Sequence, residues 1–333
     1  MRAFICGLKG YALEPEERSF LKETSPWGII LFRRNIETRD QVASLTSEIR
    51  QVLGRQTPIL VDQEGGRVQR LTAPHWKSYP CAAKFLNVTP NLENAMRLAW
   101  LGARLMAYDL REVGIDVDCL PVLDIPTQGA HEIISDRAYA RDSQQVTRLG
   151  RAAAEGLMTG GVAPVMKHIP GHGRALADSH LELPTVNASL AELESLDFVS
   201  FRANADLPMA MTAHVVYAAI DPEKPGTLSK TIIEEIIRKN IGFRGLLMTD
   251  DLSMKALSGD FRSRAEQAIA AGCDIVLHCN GDLEEARCVA EGAPLLRDKS
   301  AHRAERALDV ITRIAPFDVS KALAEFDAAF LGS

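Results

Sequence analysis

Eight short apolar runs recur along the chain, and helical segments separate them. In chain order the runs are "AFICGL", "GIILF", "PILVDQE", "IDVDCLPVLDI", "VAPVMKH", "PMAMTAH", "GLLMTDD" and "DIVLHCN". Near-continuous apolar strands that alternate with helices are typical of a parallel sheet covered by helices. Eight such units over about 280 residues favour closure into a (β/α)8 barrel, an α/β fold of the TIM type.

The alternation continues without a break, so we expect one domain. No linker rich in Pro, Gly or Ser interrupts it, nor does any low-complexity segment. The barrel domain is predicted to span residues 1–333, with a C-terminal helical extension from about residue 282. An open, doubly wound sheet is the alternative. It is less favoured because no G-x-G-x-x-G motif follows the first strand.

Charge and composition argue against several kinds of partner. The 333 residues include 38 Lys and Arg against 44 Asp and Glu, with a formal net charge of −6 and no basic run. Nucleic acid is therefore not an expected partner. No stretch approaches the roughly 20 apolar residues of a membrane span, and the apolar part of "MRAFICGLKG" is too short for a secretory signal. Six cysteines without a C-x-x-C pair are expected to be reduced. We therefore expect a cytoplasmic protein with no membrane or nucleic-acid partner; protein partners are open.

Polar side chains follow almost every predicted strand. Six of the eight runs end in such residues: Asp62, Glu64, Asp124, Lys167, His168, His214, Asp250, Asp251 and His278. The carboxyl ends of barrel strands and the loops after them build the active site of this fold. We therefore expect these side chains, with Arg70 and Arg137, to meet in one mouth.

Such a mouth suits either metal-assisted hydrolysis or acid–base and nucleophilic attack on a glycoside. A metal site is not expected, because the "IPG" between His168 and His172 prevents a helix that would place both rings on one face. For glycoside cleavage, Asp250 at the end of the buried "GLLM" run is the candidate nucleophile. Its neighbour Asp251 is assigned to capping of the next segment.

The loop "KHIPGHGRALADSH" supplies the candidate proton donor. Its glycines give the chain mobility, and the "DSH" at its far end allows Asp178 to orient the ring of His180 and raise its basicity. A solvent-exposed histidine without a role is the alternative interpretation of His180.

At these residues the chain resembles family 3 glycoside hydrolases, and among them the short bacterial β-N-acetylglucosaminidases of peptidoglycan recycling. The matching stretches are "GIILFRRNI", "ILVDQEGGRVQRL", "GIDVDCLPVLDI", "ISDRAYARD", "MKHIPGHGRALADSHLELPTV", "MTAHVVY" and "IIRKNIGFRGLLMTDDLSM". The resemblance implies a (β/α)8 barrel and a retaining enzyme that removes terminal N-acetylglucosamine from cell-wall fragments without a cofactor. The stretch "ISDRAYA" departs from the family, which has Gly before the Asp and Phe farther on, so the wall near Arg137 is expected to differ.

The resemblance also assigns roles to individual residues. Asp250 is implied as the nucleophile and His180, partnered by Asp178, as the general acid/base. The implied sugar-binding residues are Asp62, Arg70, Arg137, Lys167 and His168, with His172 less clearly assigned. A phosphorylase using the same site, a β-glucosidase of the family, a metal-dependent hydrolase and a catalytically silent sugar-binding protein are the alternatives.

Overall fold

The computed structural model describes residues 1–129, 131–177, 179 and 182–331. Eight parallel strands form a closed barrel: β1 (Arg2–Gly7), β2 (Pro26–Leu31), β3 (Ile59–Val61), β4 (Val117–Asp118), β5 (Ala163–Ile169), β6 (Met209–Thr212), β7 (Leu246–Asp251) and β8 (Ile275–His278). Each strand pairs with its neighbours in sequence, and β8 closes the ring by pairing with β1. The predicted (β/α)8 fold is confirmed.

Helices cover the outside of the barrel. Those of eight or more residues are Pro15–Thr24, Arg39–Leu53, Leu92–Glu112, Ser143–Thr159, Phe261–Ala271, Leu283–Gly292, Asp298–Ala307 and Val319–Phe330, with a π-helix at Ile232–Asn240. Shorter pieces lie at Lys84–Val88, Leu190–Glu192, Leu193–Asp197 and Phe198–Ala203, with single 3-10 turns at Arg33–Asn35, Ser135–Arg137, Gly226–Leu228 and Asp309–Thr312. No helix in the described ranges is long and apolar enough to cross a membrane.

Two apolar clusters account for most of the core. The larger lies between the strands and the surrounding helices. The smaller fills the barrel interior with residues such as Ile5, Leu60 and Val165. Ala304 and Ala307 of the helix Asp298–Ala307 join this inner cluster beside Trp27, near the start of β2. That helix therefore closes the amino-terminal end of the barrel and leaves the carboxyl end open.

The C-terminal region differs in one respect from the predicted extension. The helix Leu283–Gly292 packs against β1 and β8, so it is the outer helix that follows the last barrel strand. The helices outside the repeat begin at Asp298. One of them, Val319–Phe330, packs on the helix Leu92–Glu112, and Arg104 of the latter donates to the carbonyl of Ala315 at 3.0 Å.

Irregular backbone extends the barrel at its carboxyl end. Beyond β4, Pro121 accepts from the backbone N–H of Lys167 at 3.0 Å, and Leu123 N–H donates to the Lys167 carbonyl at 2.8 Å. The chain therefore stays beside β5 as far as Asp124. After β3, the strands Gln63–Gly65 and Val68–Gln69 form an antiparallel hairpin over the same end.

Candidate active site

A cavity of about 380 Å³ opens at the carboxyl ends of the barrel strands. Six of the eight predicted site residues line it: Asp62, Arg70, Arg137, Lys167, His168 and Asp250. The other two, Asp178 and His180, lie outside the described residues. A larger cleft of about 530 Å³ near the helix Asp298–Ala307 contains none of the predicted site residues.

A network of buried charges forms one wall of the cavity. The Lys167 ammonium donates to Asp62 Oδ1 at 2.9 Å and lies 2.7 Å from Glu64 Oε1, and its side chain is only 2% exposed. Arg70 Nη2 donates to the other oxygen of Asp62 at 3.1 Å. Arg137 binds Glu64 through two parallel hydrogen bonds of 2.8 and 2.7 Å. Each carboxylate is therefore held between two cations.

The network fixes the ionisation of its members. Burial disfavours the charged form of Asp62, but Lys167 and Arg70 outweigh that effect and hold the pKa of its carboxyl below its usual range. For Glu64, burial is again overcome, here by Arg137 and Lys167, which lower its pKa to about 2. The same carboxylates, acting against burial, raise the pKa of Lys167. At neutral pH all of these groups are charged, so the wall presents fixed donors and acceptors.

A second polar cluster lies at the ends of β4 and β5. His168 Nδ1 and Asp124 Oδ2 are 2.6 Å apart, and the backbone N–H of His172 donates to Asp124 Oδ1 at 2.7 Å. Burial opposes ionisation of Asp124, but His168 lowers the pKa of this carboxyl. Because an ionised Asp124 only accepts, His168 Nδ1 is the donor in this contact. His168 lines the cavity, whereas Asp124 is wholly buried behind it, so the expectation that Asp124 opens into the mouth is wrong.

The end of β7 carries two carboxylates with different surroundings. Asp251 Oδ1 accepts from the backbone N–H groups of Ser253 and Cys279, both at 3.0 Å, and its Oδ2 accepts from the Ser253 hydroxyl at 2.6 Å. Asp251 thus ties β7 to the segment that follows β8. Asp250 Oδ1 accepts from the Asp251 N–H at 2.8 Å, and the half-buried Asp250 side chain lines the cavity.

His214 hydrogen-bonds to the backbone at the same strand end. Its Nε2 donates to the Asp251 carbonyl at 3.0 Å, and its Nδ1 lies 2.7 Å from the Thr227 hydroxyl. Burial lowers the pKa of the ring, so it is neutral near pH 7. His214 is wholly buried and does not line the cavity. The expectation that it opens into the mouth is therefore wrong.

His278 also points away from the cavity. Its Nε2 lies 3.0 Å from Glu285 of the following helix, and its ring packs edge-on against Phe261. The position of a histidine at a strand end does not show which side of the barrel wall its ring faces.

The first part of the predicted mobile loop is anchored at several points. Tyr217 donates its hydroxyl proton to the Gly171 carbonyl at 2.8 Å, and Arg174 Nε donates to Asp197 at 2.7 Å. His172 Nε2 lies 3.1 Å from the Ser179 hydroxyl. Burial, with His168 nearby, lowers the pKa of His172 to about 4, so this ring is neutral near pH 7.

Several residues that line the cavity were given no functional role from the sequence. These are Phe32, Arg34, Arg67, Met254 and Asn280 among others. The Phe32 ring centroid lies 5.0 Å from Arg34 Cζ and 5.3 Å from Arg70 Cζ, so it packs against both guanidinium groups. The signal was available, since Phe32 and Arg34 follow directly on the predicted strand "GIILF".

In the described residues, no group of three or more His, Cys, Asp or Glu side chains has the arrangement of a metal site. The hydrogen-bond donors and acceptors of the wall, together with the Asp250 carboxylate in the same cavity, are suited to holding a polyhydroxylated molecule.

Comparison with known proteins agrees with this geometry. The family model for the glycosyl hydrolase family 3 N-terminal domain matches residues 6–310. A beta-hexosaminidase of Tolumonas auensis is 36% identical over 314 residues, covering 92% of this chain and 90% of the relative. One from Methylococcus capsulatus is 41% identical over 277 residues, covering 82% and 81%.

Solved structures give the same result. The structure of NagZ from Neisseria gonorrhoeae in complex with N-trifluoroacetyl-D-glucosamine superimposes with a TM-score of 0.87 at 33% identity, covering 99% of this chain and 98% of that one. A glycoside hydrolase family 3 beta-N-acetylglucosaminidase from Paenibacillus superimposes with a TM-score of 0.82 at 31% identity, covering 99% of this chain and 62% of that one. This chain belongs to glycosyl hydrolase family 3 and is a glycoside hydrolase.

Proposed function

We propose that the protein is a retaining exo-β-N-acetylglucosaminidase that acts through a covalent glycosyl–Asp250 intermediate. The observation that carries the proposal is the placement of Asp250 at the end of β7, in the same cavity as the charged wall of Asp62, Glu64 and Lys167. A strand end is a rigid support for a nucleophile, and the wall supplies groups that bind sugar hydroxyls. The relatives described above support the choice of sugar, because they are beta-hexosaminidases and one neighbour binds an N-acylated glucosamine.

The reaction then proceeds in two displacements. In the first, an Asp250 oxygen forms a bond to the anomeric carbon while the bond to the leaving oxygen breaks, and His180 gives its proton to that oxygen. In the second, His180 takes a proton from water, and the water oxygen displaces Asp250 from the anomeric carbon. Two inversions at one carbon retain its configuration.

The charged wall holds the sugar during both displacements. Lys167 and Arg70 each retain hydrogen-bond donors beyond those used on Asp62, and Asp62 accepts from hydroxyls of the sugar. Arg137 and His168 line the same cavity, and we assign them to the hydroxyl and acetamido groups. Because these charges are already fixed by the fold, little reorganisation accompanies binding.

The proposed substrate is a cell-wall fragment that ends in β-linked N-acetylglucosamine, and the proposed location is the cytoplasm. The motif resemblance to bacterial enzymes of peptidoglycan recycling supports the substrate. The six cysteines are free thiols, four of them buried, which fits a reducing compartment. The family model covers residues 6–310, in keeping with one catalytic domain.

A panel of para-nitrophenyl β-glycosides tests the proposal. We expect kcat/KM for the N-acetylglucosaminide to exceed that for the glucoside by at least 10²-fold, since a site with polar groups for the acetamide rejects a sugar without it. Equal rates on the two substrates would contradict the choice of sugar. Release of N-acetylglucosamine 1-phosphate when phosphate is added would instead identify a phosphorylase.

A further inference from the structure

Gln63 lies between two carboxylates of the charged wall and yet does not line the cavity. In an extended chain, successive side chains point to opposite faces, so Asp62 and Glu64 reach Lys167 while Gln63 points the other way. Gln63 is fully buried and pairs with Gln69 across the hairpin. A buried amide in this position must find several hydrogen-bond partners.

The Gln63 amide finds them on the backbone of the segment that carries Arg70. Its Oε1 accepts from the N–H groups of Arg70 and Leu71, both at 3.0 Å, and its Nε2 donates to the Leu71 carbonyl at 3.0 Å. The backbone N–H of Gln63 donates in turn to Asp118 Oδ1, a fully buried carboxyl on β4, at 2.9 Å. A chain of hydrogen bonds therefore runs from the barrel wall through Gln63 to Arg70.

These hydrogen bonds hold the backbone from which the Arg70 side chain extends to Asp62. Arg70 Nη2 is 3.1 Å from Asp62, and the Arg70 side chain is 25% exposed at the cavity. Without an acceptor on Gln63, the backbone N–H groups of Arg70 and Leu71 would be left unsatisfied. The segment would then shift toward other partners and carry the guanidinium away from Asp62.

We propose that Gln63 is a positioning residue for sugar binding, acting through the backbone of Arg70 and without touching the substrate. The inference deepens the proposed function and rests on it for the identity of the sugar and for the role of Arg70 in binding it. It concerns the same charged wall, whichever aryl glycoside the panel selects.

A double-mutant cycle between Gln63→Met and Arg70→Ala tests the inference, with steady-state kinetics on the preferred aryl glycoside. Because Arg70 binds the sugar in ground and transition states alike, Gln63→Met should raise KM by roughly 10-fold or more with kcat nearly unchanged. In the Arg70→Ala background the same substitution should change kcat/KM by less than about twofold, since its effect passes through a residue already removed.

Gln69→Met is the matched control. Gln69 is a buried glutamine of the same hairpin. Its amide accepts from the Tyr79 N–H at 2.9 Å and donates to the Lys77 and Leu71 carbonyls, both at 2.7 Å. In Gln69→Met the Arg70 and Leu71 N–H groups keep their acceptor on Gln63, and the Leu71 carbonyl keeps the Gln63 donor. Gln69→Met should lower the thermal midpoint as Gln63→Met does. If it also changes kcat/KM, the fold-change in the double variant with Arg70→Ala should be the product of the two single fold-changes.

The inference is overturned if the KM of Gln63→Met stays within twofold of the wild-type value. It is also overturned if the fold-changes in kcat/KM of Gln63→Met and Arg70→Ala multiply in the double variant. If Gln63→Met does not fold, Gln63→Glu replaces it, because the introduced carboxyl still accepts from both N–H groups. We then expect a smaller rise in KM, which should again be absent in the Arg70→Ala background. An inactive wild type on every N-acetylglucosaminide contradicts the proposed sugar and leaves the cycle to be run on the sugar that is cleaved.

Discussion

Replacing Lys167 with methionine should destabilise the fold as well as the site. Lys167 is 2% exposed and lies within 2.9 Å of Asp62 and 2.7 Å of Glu64. Methionine fills a similar volume without the charge, so each carboxylate keeps a single cation, Arg70 or Arg137. The substitution therefore tests how much two buried carboxylates depend on the cation between them.

The magnitude follows from the ionisation of Glu64. Arg137 and Lys167 together outweigh burial and lower its pKa from 4.5 to about 2. That shift corresponds to about 3 kcal/mol. Without Lys167, Glu64 and Asp62 each lose one of their two cations, so the variant should lose about 3 kcal/mol of unfolding free energy. Breaking a buried ion pair by removing one partner typically has an effect of about 3–5 kcal/mol, which agrees.

Urea unfolding at pH 7, followed by circular dichroism, measures this loss. Lys239→Met is the control, because Lys239 is 68% exposed and its pair with Glu235 at 2.7 Å is a surface one. We expect the control to leave the urea midpoint nearly unchanged, because an ion pair in solvent contributes little to stability. A loss below about 1 kcal/mol for Lys167→Met, or one no larger than the control's, would show that the two carboxylates do not depend on Lys167.

Other substitutions probe the site from different directions. Because the pKa of Glu64 is lowered in the folded state, its ionisation contributes stability that is present above about pH 4.5 and is lost as the pH falls toward 2. Glu64→Gln has no such group, so its urea midpoint should fall less steeply with decreasing pH than that of the wild type over this range. Arg137→Ala should reduce kcat/KM by about 1–3 kcal/mol of transition-state stabilisation, measured on the preferred aryl glycoside, and an unchanged value would remove Arg137 from the sugar site. His180→Ala should lose roughly 10²–10⁴-fold on a disaccharide and far less in the first step on a dinitrophenyl glycoside, whose leaving group departs without a proton; equal losses on both would place the proton donor elsewhere.

The strands could be predicted from the sequence because of how a barrel buries them. Each parallel strand is covered on both faces, so it appears as a continuous apolar run, as "GIILF" does. The run "IDVDCLPVLDI" shows the limit of this signal. Only Val117–Asp118 is regular strand, because the Leu120 N–H turns back to the Asp118 carbonyl at 2.8 Å and Pro121, next along the chain, has no N–H to pair. The chain beyond it still follows β5 and places Asp124 beside His168, where its carboxylate is buried and does not line the cavity.

The pairing within the site could not be predicted in the same way. Glu64 and Arg137 are far apart in sequence, and only the closed barrel brings them into contact. Local patterns identify charged residues at strand ends, but they do not show which carboxylate a cation will hold. They also do not show which way a ring turns, and so His214 and His278 were expected in a mouth that neither lines.

Trapping of the covalent glycosyl–enzyme intermediate tests whether Asp250 is the nucleophile. His180→Ala is mixed with dinitrophenyl N-acetyl-β-glucosaminide, quenched in acid during the phenolate burst, and digested for peptide mass mapping, with Asp250→Asn treated in parallel. We expect one N-acetylhexosaminyl group per active site on the peptide that contains Asp250, located on that residue by fragmentation, and none in Asp250→Asn. A group on Asp251 or another carboxylate, or a burst without any labelled peptide, would contradict it.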